Sequence, residues 1–402
     1  MDSLKQILQT FAAYGENKDG GICRTFGSEA YILASERLRE YLQRHGVTSY
    51  IDPVGNVHGI LGEGPKELII ASHLDTVRDG GKYDGLLGVA AGIECLLKCK
   101  EETMTPRYRL HVIATNGEEG NVLGGTFGSR CLLGKYTEYD RLSELPPITV
   151  SREEGHALCK EDIWKSRLNP ENIVSYTELH IEQGNRLENQ KKRIGIVTGI
   201  VGLQRYRIRI RGCSNHAGTT MMEYRQDALV TASHIICYCD ECAVKYGKDL
   251  VATVSDVSIS PNVLAVINGY VEMVLECRNL DEKCMQEYIE DVKEYCRSFS
   301  GVSIEQIVKK APVVCNETFR EDIRRICKIR NIEYLEMPSG ATHDASIFGL
   351  EHPIGMIFIP SHLGISHSRD EWSSWEDCNT GSKVLYAYVR EKLYGIEDSE
   401  KP

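Results

Sequence analysis

The sequence lacks the features that mark membrane, secreted and nucleic-acid-binding proteins. It contains no run of about 18 apolar residues and no N-terminal signal pattern, so we expect a cytoplasmic protein without a transmembrane helix. Basic residues are outnumbered, with 47 Lys and Arg against 58 Asp and Glu, which gives a net charge of −11. Nucleic acids and anionic membranes require a basic face. The composition therefore argues against both as partners and leaves small molecules.

The sequence also lacks internal repeats, low-complexity tracts and the dense cysteine spacing of a small secreted scaffold. Its 15 cysteines are odd in number and dispersed, which indicates reduced thiols that mostly fill the core. One group, His234, Cys237, Cys239 and Cys242, has residue types that suit a zinc or iron–sulfur site. This group lies in a segment with helical periodicity, in which Cys237 and Cys239 point about 200° apart. That geometry argues against a metal there.

The length of 402 residues exceeds one compact core and indicates two domains. The pattern changes at Leu203, where predicted strands and helices begin to follow the order βαββαβ of the split-βαβ or ferredoxin-like unit. Further α/β material follows this unit. We therefore predict an α/β protein whose outer domain comprises residues 1–202 and 313–402, with an inserted domain at 203–312.

The segment from Ala71 to Gly92 carries the most specific pattern. An apolar run predicts a strand that delivers His73 and Asp75 to its carboxyl end, where open α/β sheets bind ligands. Asp84 follows a glycine-rich turn and precedes a periodic apolar stretch that predicts a buried helix. Taken alone, Asp84 is more typical of a helix N-cap. One imidazole and two carboxylates at a strand-to-helix turn instead favour a divalent transition metal.

Two further predicted strands carry similar residues. The strand at 107–115 leads into a glycine-flanked turn that contains Glu118 and Glu119. Paired glutamates in such a turn are usually solvated, but a metal ligand beside a general base is the alternative. His180 lies on a later strand, and a lone strand histidine is more often a satisfied core residue. The acidic groups at the other strand ends favour a ligand here.

These motifs together resemble a known family. Six segments fall in the order and spacing of the M20 metallopeptidase superfamily: SHLDTVRDGGKYDGLLGVAAG, NGEEGN, ELHIEQGNRLE, NHAGTTMMEYRQDAL, SGATHDA and FIPSHLGISHSRDE. HIEQG and NHAGTT resemble the motifs of the hydantoinase/carbamoylase amidases, which include N-carbamoyl-L-amino acid amidohydrolases, β-ureidopropionases and allantoate amidohydrolases. The resemblance covers about residues 20–380. It implies a dinuclear-metal catalytic domain with the inserted ferredoxin-like unit as lid and dimerisation domain.

The resemblance implies two divalent metal ions per chain. His73, Asp84 and His180 would hold one ion, and Asp84, Glu119 and His367 would hold the other. Asp84 would therefore bridge the two ions. Zinc is the expected metal, with manganese, cobalt or nickel as alternatives.

Three further residues would take part in catalysis by the same resemblance. Asp75 would hydrogen-bond the imidazole of His73 and fix its tautomer. Glu118 would be the general base and acid, and His216 of the NHAGTT motif would stabilise the oxyanion. The alternative for His216 is a structural role in its glycine turn.

The family pattern also implies residues that hold the substrate. Asn262 and Arg278 would grip a carboxylate, because the planar guanidinium fork binds carboxylate bidentately. Gln183 and the backbone of Gly340 would lie near the leaving amino acid. The alternative for Arg278 is a surface ion pair with Glu276 or Asp281, which would contribute little energy.

Three departures from the family pattern lie on the substrate side. Asn121-Val122-Leu123 replaces the usual serine–arginine–phenylalanine, Met221 replaces a proline, and Thr342 replaces a glycine. We therefore expect the metal chemistry to be retained, whereas the identity of the substrate stays open.

The function implied is metal-dependent hydrolysis of a linear amide in a small substrate that bears a carboxylate. The first candidate is the carbamoyl group of an N-carbamoyl-L-amino acid, or of a ureido acid such as allantoate, with release of amino acid, ammonia and carbon dioxide. The alternatives are an M20-type dipeptidase or aminoacylase, and a non-catalytic binding protein on the same fold. A lone four-stranded sheet exposes an edge or a face, and the family dimerises through this domain, so we expect a homodimer.

Overall fold

The computed structural model describes residues 4–150, 157–247 and 249–395. Residues 1–3, 151–156 and 396–402 of the predicted outer domain, and residue 248 of the predicted insertion, lie outside the described residues. Among the described helices, none has both the length and the apolar character needed to cross a membrane.

The chain divides into two compact units. Unit 1 comprises Met1–Thr198 and Val314–Pro402, and unit 2 comprises Gly199–Val313. Each unit has its own core of buried apolar side chains.

The helices and strands follow one another in three stretches of the chain. Up to residue 200 they are α1 (Leu4–Ala12), α2 (Glu29–Arg44), β1 (Thr48–Ile51), β2 (Val57–Leu61), β3 (Glu67–His73), α3 (Leu86–Glu101), β4 (Arg109–Thr115), α4 (Phe127–Leu132), α5 (Tyr139–Glu144), α6 (Lys160–Lys165), β5 (Ile173–Ile181), α7 (Arg186–Asn189) and β6 (Ile194–Ile200). The middle stretch forms β7 (Gly202–Arg211), α8 (Ala228–Tyr246), β8 (Val251–Ser260), β9 (Tyr270–Asn279), α9 (Glu282–Arg297) and β10 (Val302–Lys310). The last stretch forms β11 (Val313–Val314), α10 (Glu317–Ile329), β12 (Tyr334–Ser339), α11 (Ala345–Phe348), β13 (Ile354–Ile359) and α12 (Trp375–Tyr394).

The larger sheet is mixed, with the strand order β1-β2-β4-β3-β5-β13-β6-β11 and with β12 paired to β6. β3 runs parallel to β4 and β5, and β5 runs parallel to β13. The carboxyl ends of these four strands therefore meet at one edge of the sheet. His73, the last residue of β3, lies opposite Thr115 at the end of β4.

The centre of this sheet is covered on both faces. Every residue of β3 is buried, as expected for a parallel strand with helices on both sides. α3 is buried along most of its length and packs on β3, β4 and β5. Each leucine or isoleucine that α3 buries stabilises the unit by about 1.5–3 kcal/mol. The carboxyl ends of these strands are therefore held by a well-packed core.

Unit 2 has the element order βαββαβ and an antiparallel sheet with the strand order β10-β7-β9-β8. Successive side chains along its strands point to opposite faces of the sheet. One face packs on α8 and α9, and the other faces outward. Ile208 of β7 is buried in the core, whereas Arg209 points to the opposite face and pairs with Glu272 of β9 at 2.8 Å. Asp227 and Asp281 cap the two helices by accepting hydrogen bonds from main-chain N–H groups.

Two local features bear on the sequence analysis. β6 was not predicted, because its sequence IGIVTGI contains two glycines and lacks the alternation of a half-buried strand. Among the described residues, no cysteine forms a disulfide bond, and most of the cysteines are buried, as expected for core residues. In α8, Cys237 is exposed whereas Cys239 and Cys242 are buried, so the three thiols do not share one face.

Candidate metal centre

Three buried side chains converge at the carboxyl edge of the larger sheet. His73 ends β3, His180 lies in β5, and Asp84 lies in the turn before α3. Oδ1 of Asp84 lies 3.3 Å from Nε2 of His73 and 3.1 Å from Nε2 of His180. We call His73, Asp84 and His180 the first triad.

A second group of three shares Asp84 with the first. Nε2 of His367 lies 3.4 Å from Oδ2 of Asp84 and 3.3 Å from Oε1 of Glu119. We call Asp84, Glu119 and His367 the second triad. The two oxygens of Asp84 therefore face two different sets of donors, and in each triad the ligand atoms lie within 4.8 Å of one another.

The arrangement of the first triad suits a cation. Nδ1 of His73 lies 2.9 Å from the main-chain carbonyl of Asp75, and Nδ1 of His180 lies 2.9 Å from the carbonyl of Ile181. A carbonyl only accepts, so each Nδ1 carries a proton, and in the neutral imidazole each Nε2 is left with a lone pair. Both lone pairs face Oδ1 of Asp84, which is buried and accepts no hydrogen bond. Nε2 of His180 also accepts a hydrogen bond from the main-chain N–H of Gly85 at 3.2 Å. A divalent ion among these atoms would satisfy Oδ1 of Asp84.

The pKa shifts of His73 and Asp84 also indicate that positive charge is favoured in the first triad. Burial lowers the pKa of His73, but its contact with Asp84 and the charge of Glu118 outweigh this and raise its pKa well above the usual value. Burial raises the pKa of Asp84, but the two imidazoles outweigh this and lower it well below the usual value. Positive charge is therefore electrostatically favourable beside Asp84.

Asp84 is not the cap of the helix that follows it, so that alternative is wrong. The N-cap of α3 is Gly85, and no side chain caps the helix. Gly85 has φ +65°, and a Cβ at this position would lie 2.5 Å from the ring of His73. A glycine is required there both by the backbone conformation and by the close approach of the imidazole.

Asp75 supports the site by a different contact from the one we predicted. Its main-chain carbonyl, not its carboxylate, lies within hydrogen-bond distance of His73, since the carboxylate is 4.0 Å from Nδ1. The carboxylate accepts hydrogen bonds from the main-chain N–H groups of Glu118 and Glu119, both at 3.1 Å. Burial raises the pKa of Asp75 to about 6. Asp75 therefore holds the turn that presents the two glutamates.

Glu118 and Glu119 are not solvated surface residues, so that alternative is also wrong. Their side chains are 9% and 12% exposed. Oε2 of Glu118 lies 3.9 Å from Nε2 of His73. Burial raises the pKa of Glu118 well above its usual range, and the nearby carboxylates of Asp344 and Glu119 add to this, although His73 opposes it. Glu118 is therefore a carboxyl group suited to exchanging a proton.

Gln183 and Gly340 also lie in unit 1. Nε2 of Gln183 donates to Oδ2 of Asp84 at 2.8 Å and lies 3.5 Å from Nε2 of His367. This places the amide directly at the second triad. Gly340 follows β12, is exposed, and has open space where a Cβ would lie.

A cavity opens beside the second triad. It has a volume of about 560 Å³, and Asp75, Glu119, Asn121 and Val122 contribute to its wall. Two of these residues belong to the segment that departs from the family pattern. A small molecule in this cavity would lie beside Glu119 and would contact that segment.

The remaining predicted residues lie in unit 2. His216 is exposed, and its Nδ1 accepts a hydrogen bond from the main-chain N–H of Gly218 at 3.0 Å, so it does structure its glycine turn. Asn262 is exposed and has φ +51°. Nε of Arg278 donates to Oε1 of Glu276 at 2.7 Å, so the predicted ion pair is present.

Three further buried groups lie near the triads, and the sequence predicted none of them as a metal ligand. Glu371 contacts the turn of Asp84. Glu178 and His343 form a possible ligand group with His180, but their polar atoms are engaged elsewhere. The oxygens of Glu178 accept from Ser72 at 3.0 Å and from Tyr176 at 2.9 Å, and Nε2 of His343 contacts Ser339 at 2.9 Å.

The chain is similar to known proteins over nearly its whole length. Residues 69–391 match the model of peptidase family M20/M25/M40. An N-carbamoyl-L-amino acid amidohydrolase of Geobacillus stearothermophilus is 32% identical, with 98% of this chain and 99% of that protein covered. An allantoate amidohydrolase of Escherichia coli strain K12 is 31% identical, with 95% and 96% covered. The crystal structure of a hydantoinase/carbamoylase family amidase from Burkholderia multivorans aligns with a TM-score of 0.86 at 25% identity, covering 99% and 98%.

Proposed function

Because the chain belongs to the M20/M25/M40 peptidases and, within them, to the hydantoinase/carbamoylase amidases, we propose that it is a metal-dependent amidohydrolase. Its substrates are N-carbamoyl-L-amino acids or related ureido acids such as allantoate, the compounds for which two of its relatives are named. One observation carries the proposal: Asp84 faces two separate donor sets, and the buried carboxyl of Glu118 lies beside them.

We propose that two divalent ions bind per chain, one at each triad. Imidazole nitrogens with carboxylate oxygens are a donor set typical of zinc, which manganese, cobalt and nickel also accept. When bound, such ions lower the pKa of a water molecule and polarise the scissile carbonyl. The orphaned Oδ1 of Asp84 and the lone pairs directed at it support this assignment.

Glu118 carries the proton in this scheme. As water adds to the scissile carbonyl carbon, Glu118 accepts a proton from the water and returns it to the leaving nitrogen while the carbon–nitrogen bond breaks. A raised pKa suits a carboxyl group that must take up and release a proton near neutral pH. Hydrolysis of a carbamoyl group in this way gives the amino acid and carbamic acid, which separates into ammonia and carbon dioxide.

Three residues of unit 2 would contact the substrate. We propose that Arg278 and Asn262 bind the substrate carboxylate and that His216 stabilises the oxyanion, while Gln183 and Gly340 lie near the leaving amino acid. Amidated substrate analogues should then lose about 2–5 kcal/mol in kcat/KM, as expected when one partner of a buried charge pair is removed. Arg278→Lys should be poor with the carboxylate substrates, because a point charge does not replace the guanidinium fork. Neutral amides hydrolysed as fast as the carboxylates would contradict this assignment.

We propose that unit 2, with the topology of a ferredoxin-like domain, acts as lid and dimerisation domain. β8 is an edge strand and most of its residues are exposed, so a second copy of the chain would cover it. One chain has a mass of 45.2 kDa, and light scattering should give twice that mass. A mixture of Glu118→Gln and His216→Ala chains would recover activity if His216 serves the partner's site.

Metal analysis combined with a substrate panel tests the proposed function. The purified protein is assayed for bound metals and for ammonia release from N-carbamoyl-L-amino acids and allantoate, with dipeptides and N-acetyl and N-formyl amino acids alongside. Ammonia release from the carbamoyl or ureido compounds supports the proposal. Turnover of dipeptides or acyl amino acids alone would favour the dipeptidase or aminoacylase alternative, and metal binding without any turnover would favour a binding protein.

A further inference from the structure

Glu371 is a buried carboxylate that holds the turn of Asp84 from the far end of the chain. It lies in the loop between β13 and α12, four residues after His367, and is only 4% exposed. Its Oε1 accepts hydrogen bonds from the main-chain N–H groups of Tyr83 at 2.9 Å and of Asp84 at 3.0 Å. Buried N–H groups of this kind require an acceptor, and Glu371 provides it for two consecutive residues.

The second oxygen of Glu371 reaches the side chain of Asp84 through a serine. The hydroxyl of Ser366 lies 2.9 Å from Oε2 of Glu371 and 2.8 Å from Oδ2 of Asp84. Ser366 directly precedes His367, and Oδ2 is the oxygen of Asp84 that faces Nε2 of His367. Glu371 therefore ties together the two segments that meet at the second triad.

Gly81 leaves the space that Glu371 occupies. A Cβ on Gly81 would lie 2.2 Å from Oε1 and 2.4 Å from Cβ of Glu371, so the carboxylate rests directly on a residue that has no side chain. Among the described residues, Glu371 belongs to none of the groups whose ligand atoms converge. Glu371 contacts the main chain of Tyr83 and Asp84 and the hydroxyl of Ser366. It is therefore a neighbour of the candidate ligands and not one of them.

We propose that Glu371 is a positioning residue, which sets the orientation of Asp84 toward the second triad through hydrogen bonds and not through its charge. This inference rests on the proposed two-ion function. It concerns the second ion more than the first, because the Ser366 bridge reaches Oδ2, whereas the histidines of the first triad face Oδ1 and are oriented by main-chain carbonyls.

Two substitutions separate hydrogen bonding from charge. In Glu371→Gln the amide oxygen can still accept from both N–H groups, and the amide nitrogen can donate to Ser366, which then donates to Asp84. All contacts are kept while the negative charge is lost. Glu371→Ala removes the contacts together with the charge. A role through hydrogen bonds therefore predicts that the Gln variant behaves like the wild type and the Ala variant does not.

The experiment is a titration of metal-free protein with zinc alone, read by calorimetry and by metals retained per chain after dialysis. Glu371→Ala should bind the first ion normally and the second about 10–100-fold more weakly, the range found when residues that orient metal ligands are removed. Glu371→Gln should bind both ions as the wild type does. Asp370→Ala is the matched control, since Asp370 is an exposed carboxylate next to Glu371, and it should bind both ions normally.

Amide hydrogen exchange of the metal-free proteins provides a readout that needs no metal. The peptide containing Tyr83 and Asp84 should exchange faster in Glu371→Ala than in the Gln and control variants. If the Ala variant does not fold, Ser366→Ala serves in its place, because it removes only the bridging hydroxyl. Ser366→Ala should also lower the affinity for the second ion. Because turnover is not measured, the inference can hold even if the proposed substrates prove wrong. Equal binding of both ions by all variants, or a Gln variant as defective as the Ala variant, would overturn it.

Discussion

The two triads use the same chemistry but are built differently. In the first, His73 and His180 are 2% and 1% exposed and lie in strands of the sheet. In the second, His367 is 50% exposed, lies in a loop, and has φ +54°. The first triad is thus fixed by the register of β3 and β5, whereas the second depends on contacts of the loop between β13 and α12. We expect a tight first ion and a weaker, more readily exchanged second ion.

The largest effect should follow from removing the residue that the triads share. Asp84→Ala should abolish binding of both ions, and turnover with them, because each triad loses a carboxylate oxygen. Metals per chain, measured by mass spectrometry after dialysis, provide the test. A variant that retained both ions would remove Asp84 from the centre.

The next largest effect should distinguish the triads from each other. Glu119→Gln should lose the second ion but keep the first, because Glu119 contacts His367 and lies outside the first triad. Turnover should be lost if both ions are needed. The measurement is stepwise metal binding by calorimetry, and loss of the first ion alone would contradict the assignment of Glu119 to the second triad.

The neighbouring glutamate is the control for that experiment. Glu118→Gln should keep both ions and lower kcat by about 10²–10⁴-fold, the contribution typical of a general base. The two substitutions make the same chemical change at adjacent positions, so a difference between them comes from position alone. If both variants kept both ions and differed little in rate, the two roles would be wrong.

The smallest effect concerns a buried histidine outside both triads. His111 of β4 lies 3.0 Å from Glu67 and 2.8 Å from His58, with Arg109 also near. Burial lowers its pKa to about 4. The unfolded chain therefore binds a proton between about pH 6.5 and 4 that the folded chain does not, so stability falls as the pH falls through this range.

Urea unfolding of the metal-free protein at pH 7 and pH 5 measures this effect. His111 should account for roughly 2 kcal/mol of the loss of stability on acidification, and His111→Gln should remove that part. The exposed His234 provides a control substitution. Variants of either triad should lose the same free energy of unfolding between pH 7 and pH 5. If the wild type showed no such loss, His111 would be protonated in the folded state.

Much of the fold and of the site followed from local patterns. The apolar run of β3 and the glycine-rich turn after it predicted where His73 and Asp84 would lie, because strand periodicity and turn residues act over a few positions. β6 was missed because its glycines and uniformly apolar residues obscure that periodicity. We predicted the wrong contact for Asp75, because a sequence does not show whether the carboxylate or the main-chain carbonyl of a residue meets its neighbour.

The sequence by itself determined the candidate ligands: strand-end and turn patterns indicated His73 and Asp84, and the family resemblance added His367. Only the tertiary structure decided which atoms meet. Glu371 bonds to the N–H of Asp84 across 287 residues, and Asp75 bonds to Glu118 and Glu119 through the alignment of β3 beside β4. Such partners are chosen by strand order and loop packing, which bring distant segments together and which no local propensity specifies.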